Sequence, residues 1–209
     1  IESDLEAMVK CFNRDLTERR QGGAESRPLP EERVRQGASL LAAAATLTSE
    51  STIKVPDGSA NSKGIDVQSV LPDWNSKEQS TLLSLPIFDE AIYGTVRFHP
   101  RSLREYLTAE WFAELLKRET SRRNIEAYFF REQYGLDIVT PTLRPILPWL
   151  ILRDEKIRDR VRKSAPEILF EGGDPSQLPL EVRRSVLPVS YTHLRAHETV
   201  LDIVCRLLL

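Results

Sequence analysis

Leu5, Met8, Val9, Phe12 and Leu16 recur at helical spacing, which predicts an amphipathic helix over 2–20. It stops at "RRQGG", and "GGAESRPLP" (22–30) follows as a linker. Pro30 suits a first helical position, and the helix formers of "EERVRQGASLLAAAATL", with acids in the first turn, predict a helix at about 30–47. "STIKVP" (51–56) reads as a short strand and "DGSANSKG" (57–64) as a loop. Two short helices are expected at 65–71 and 76–85, the second opened by Ser76 with Gln79 in capping-box spacing. "PIFDEAIYGTVRFH" supplies two extended runs around a turn, with Gly94 as a bulge or bend. The next helix starts with a second capping-box spacing, Ser102 and Glu105, and lines up Leu103, Tyr106, Leu107, Trp111 and Leu115 on one face. If Pro100 is instead its first residue, His99 becomes the cap; either way His99 stands beside the free N–H groups of the helix start.

The order helix, strand, helix, helix, hairpin is that of a winged-helix domain, assigned to 28–118. From Asn124 onward the pattern predicts short helices: "NIEAYFFREQYGL" stopped at Gly135, a proline-punctuated "TPTLRPILPWLIL", "RDEKIRDRVRKS", "PEILFEGGDP" and "PLEVRRSVL". Helix pairs with prolines between them suggest that 119–187 opens an α-helical repeat array, although no strict period is present. The expected fold class is mainly α: a winged-helix domain with a small β-hairpin, then the start of the array. Residues 1–27 read as the end of a helical domain and its linker.

Composition adds mainly exclusions. The 209 residues carry 29 basic and 31 acidic side chains, a net charge of -2, with no long run of positive sign. Nucleic acid and membrane surfaces are therefore not expected partners. No apolar run approaches the roughly 20 residues that span a bilayer, and "IESDLEAMVK" lacks the basic-then-apolar order of a secretion signal. Cys11 and Cys205 offer no disulfide framework, so a cytoplasmic location is expected.

The tail "PVSYTHLRAHETVLDIVCRLLL" (188–209) places His193 and His197 at a metal-ligand spacing, with Cys205 nearby. However, "VSYTHLRAHET" resembles one frame of a translated sequencing-library adapter and "VCRLLL" resembles the primer beyond it. The tail is therefore expected to be foreign, with the natural start and end of the protein lying outside this sequence, and no metal site is assigned to it.

Few residues offer chemistry. "GSANSKG" lacks the order of a phosphate-cradling Walker A loop. "LSLPIFDE" imitates a strand that ends on a magnesium-binding acid, but Pro86 argues against a buried parallel strand, and Asp89 and Glu90 are expected in the hairpin turn. Trp74, Trp111 and Trp149 fit core packing better than base stacking, because no basic groove accompanies them. The mixed charges of "RDEKIRDRVRK" (153–163) fit a solvated helix face. No catalytic or metal-binding set is found. His99 remains, either as a structural residue bridging hairpin and helix or as a donor to a phosphate oxygen.

"FHPRSLREYLTAEW", with "LLSLPIFDEAIYGTVR" before it, resembles the winged-helix segment of NACHT-type signal-transducing NTPases of the STAND group. "LLAAAATLT", "VLPDW", "YGLDIVTPTLRPILPWL" and "PEILFEGGDPSQLP" resemble the downstream half of large bacterial members, so the likeness spans most of 28–187. It implies an ADP/ATP switch with magnesium in the parent protein, whose output in some members is defence signalling. It also implies that the winged-helix histidine, here His99, touches the ADP β-phosphate in the closed state. The Walker A loop, the Walker B carboxylates and any arginine sensor would precede Ile1 in a nucleotide-binding domain of the same chain. The parent would self-oligomerise, and its repeats would recognise a trigger. Two rivals stand beside this reading. A DNA-binding winged-helix regulator would need a basic helix and wing, where this chain has "SKEQSTLLSL" and an acidic "FDEAIYG". A helical-repeat scaffold would have no nucleotide role.

Overall fold

The computed structural model describes residues 29–56, 63–92, 94–133, 135–173 and 177–184. The expected helix over 2–20, most of the linker and of the 57–64 loop, and the tail from 188 lie outside these residues. The described chain is mainly α-helical with two small sheets. Its contacts divide it into two compact units, Ile1–Glu114 and Leu115–Leu209.

The first unit begins with α1 (Glu31–Leu47), preceded by Pro30 in extended geometry and carrying Glu31 and Glu32 where the helix dipole favours acids. Val34, Ala38, Leu41, Ala42 and Ala45 form its buried stripe. Gly37 lies on the same side because the Trp74 ring and Leu82 press against the α1 backbone there. α1 and α4 (Arg101–Leu116) are joined by a forked ion pair, in which Arg35 Nε donates to both Glu110 oxygens at 2.8 and 2.9 Å. The Thr46 and Thr108 hydroxyls meet at 3.2 Å.

β1 (Ile53–Lys54) lies between β2 (Ile65–Asp66), its parallel neighbour, and β4 (Thr95–Phe98), its antiparallel one. β3 (Phe88–Ala91) completes the order β2-β1-β4-β3. The expected helix at 65–71 is thus shorter than its pattern predicted. Gly64, at φ +146, turns the chain so that the Ile65 N–H reaches the Thr52 carbonyl at 2.9 Å, and Ile65 and Asp66 pair as strand. Asp66 then caps the single helical turn α2 (Val67–Val70) by accepting from the Gln68 N–H.

α3 (Ser76–Leu83) has a capping box, but one residue earlier than Ser76–Gln79 predicted. Asn75 Oδ1 accepts from the Glu78 N–H at 2.9 Å, and the Glu78 carboxylate accepts from the Asn75 N–H at 3.0 Å. Gln79 is instead buried, and its amide donates to the Leu71 and Trp74 carbonyls. The β3–β4 hairpin also corrects an expectation. Asp89 and Glu90 are strand residues opposite Arg97 and Val96. The turn falls later because Gly94, at φ +70, supplies the left-handed backbone that a tight hairpin requires. In α4 the expected Ser102–Glu105 box is absent, since the helix already starts at Arg101 and Glu105 accepts from the Arg101 guanidinium at 2.8 Å. Its buried stripe runs through Leu103, Tyr106, Leu107 and Phe112, leaving Trp111 half-buried.

The second unit departs furthest from the sequence pattern. α5 (Glu119–Phe129) ends at Phe129, and the expected continuation to Gly135 is an antiparallel hairpin of β5 (Phe130–Gln133) and β6 (Leu136–Val139). Gly135, at φ +75, shapes its turn, a conformation that breaks the helix that Arg131, Glu132 and Gln133 would otherwise favour. A 3-10 turn (Arg144–Ile146) leads into the buried single turn α6 (Leu147–Leu150). α7 (Glu155–Ser164) follows, with Asp154 as its cap, accepting from the Ile157 N–H at 2.9 Å. A second 3-10 segment, Pro166–Phe170, packs next to it.

Ion pairs join these short elements. Arg122 of α5 forks onto Asp154 at 3.1 and 2.7 Å. Arg160 of α7 forks onto Asp137 of the hairpin at 2.8 Å twice, with its guanidinium 4.5 Å over the Phe130 ring. Glu126 accepts from both arginines. Arg144 similarly clasps Glu167 and Glu171.

Candidate functional site

The β3–β4 register decides what surrounds His99. Strand alternation turns Phe88, Val96 and Phe98 into the core, where the two phenyl rings lie 4.6 Å apart. Asp89 and Arg97, directly opposite one another, fall on the outer face, and His99 follows Arg97 at the next outward position. The His99 backbone N–H donates to the Ile87 carbonyl at 3.0 Å, extending the hairpin by one bond past the paired strands. Nδ1 of the ring lies 3.1 Å from Oδ2 of Asp89, with the His99 side chain 64% exposed and that of Asp89 45%. A cis peptide bond links His99 to Pro100, and α4 begins at the next residue.

The first turn of α4 carries two arginines, Arg101 and Arg104. Arg101 is paired with Glu105. Arg104 has a buried Nε that bonds nothing among the described residues. Burial, and then the nearby Arg101 charge, hold its guanidinium below the usual arginine value, against the opposing pull of Glu105.

This geometry fixes what His99 can do. Asp89, acceptor-only when ionised, makes an ion pair with the ring when the ring is protonated. The neutral ring has one donor and one acceptor nitrogen, and the imidazolium has two donors. Among the described residues no hydroxyl or thiol bonds the ring.

The other expected chemistry resolves as structure. Trp74 is buried against Gly37, with the Arg33 guanidinium 4.7 Å from its ring centroid. Trp149 is buried, and Trp111 meets Phe112 edge-on at 4.9 Å. Asp89 sits on an antiparallel hairpin, a setting unlike the parallel strand end that presents a magnesium-binding acid. Among the described residues no group of three or more His, Cys, Asp or Glu side chains converges on a possible metal position. Among them, too, no helix is long and apolar enough to cross a membrane. His193, His197 and Cys205 lie outside the described residues.

Asp89 is the site residue that the sequence pattern misplaced. The usable signal was Gly94: with the turn assigned to that glycine, counting back along the hairpin puts Asp89 opposite Arg97 and within reach of His99. Comparison of the chain with protein-family models, with curated proteins and with solved structures found no match.

Proposed function

We propose that this chain is part of a signal-transducing STAND-type NTPase, and that residues 28–118 are the winged-helix domain of its nucleotide switch. The observation that carries the reading is the coincidence of topology and residue. α1, β1, the short helices α2 and α3 and the β3–β4 hairpin follow in the order expected of a winged helix, and β1 pairs with the second hairpin strand, β4, while β2 adds a parallel strand on the other side of β1. The exposed His99 ring stands where β4 gives way to α4, within the "FHPRSLREYLTAEW" stretch that resembles the family.

In this proposal the parent's nucleotide-binding domain holds ADP with magnesium, and His99 donates a hydrogen bond to the β-phosphate in the closed state. Exchange for ATP weakens that contact and shifts the population toward an open, self-associating form. A ligand drives such a shift only through its different affinities for the two states. The second unit would begin the helical repeats that sense the trigger, and the protein would act in the cytoplasm. A DNA-binding role has weaker support, because α3 sets only Lys77 against Glu78 and the hairpin carries Asp89 and Glu90.

The deciding experiment is to sequence the native locus across both ends of this sequence. The proposal expects the reading frame to continue upstream to a strand followed by Gly-x-x-x-x-Gly-Lys-Ser/Thr. An upstream stop codon with no such loop would overturn it.

A further inference from the structure

We draw no further inference here: the strongest candidate, the pair of arginines in the first turn of α4, Arg101 and Arg104, rests on a helix N-terminus with no second feature that points to a ligand, since Arg101 is taken up by Glu105 and Arg104 is only half-buried.

Discussion

Gly37→Ala sets helix propensity against packing, and the structure says which wins. In a solvent-exposed helix the change stabilises by about 1 kcal/mol, since alanine loses less backbone entropy. In α1 the new methyl group would lie 2.7 and 2.8 Å from two carbons of the Trp74 ring and 2.9 Å from Leu82 Cδ2. Comfortable carbon contacts are about 3.5–4.0 Å, so the ring or the helix must shift by most of an ångström. Trp74 has little room, because it is only 5% exposed and Arg33 lies over its ring. Arg33 is itself bonded to the Asp73 carbonyl and to Glu78. Overpacking of this kind costs about 1–3 kcal/mol, and two simultaneous clashes place it in the upper half. The net expectation is a loss of about 1–2 kcal/mol after the propensity gain of about 1 kcal/mol is subtracted. Urea unfolding followed through hydrogen exchange at α1 amides would register this as a lower midpoint with an unchanged slope. Trp74→Phe removes both clashing ring carbons, so in that background Gly37→Ala should cost at least about 1 kcal/mol less, a coupling that a double-mutant cycle isolates. A Gly37→Ala chain that is more stable by about 1 kcal/mol, with no coupling to position 74, would refute the reasoning.

Two further expectations concern the second unit. Burial pushes the Asp154 carboxyl up, but the Arg122 hydrogen bonds, the Ile157 N–H and the Arg122 charge outweigh it and leave the group below its usual value. Stability from a depressed carboxylate is present above the unfolded-state value of about 4 and is lost as pH falls through the folded one. Circular dichroism on acidification should therefore show the second unit weakening below about pH 4, with that component missing in Asp154→Asn. Gly173→Ala should cost about 2–3 kcal/mol, read as a lower melting temperature. Its φ of +68 is left-handed, and the added methyl would meet the Pro148 carbonyl oxygen at 2.5 Å, a backbone atom with no rotamer to adopt.

How much of this was legible depended on whether the determining interaction was local. α1 and α4 carry long apolar stripes and appear close to where periodicity put them. The β5–β6 hairpin was hidden because "FFREQYGLDIV" mixes helix-favouring residues with β-branched ones. Its strand character depends on distant partners, above all Arg160 gripping Asp137 and covering Phe130. Ser76 lost the cap to Asn75 for a similar reason, since Gln79 was recruited to buried carbonyls instead of to the box. At the candidate site His99 stood out from the sequence by its rarity and position. Asp89 did not, because its role follows from hairpin register, which moves every side chain with the choice of turn residue.

Whether His99 contacts the nucleotide diphosphate, as proposed, is tested most directly by ADP affinity, measured by calorimetry on the protein encoded by the native reading frame, with and without His99→Ala. Loss of one charge-assisted hydrogen bond predicts roughly ten- to a hundredfold weaker ADP binding, with ATP binding much less affected. The His99 side chain is exposed, so the substitution should leave the fold intact. Equal ADP affinity in a folded His99→Ala protein would contradict the claim.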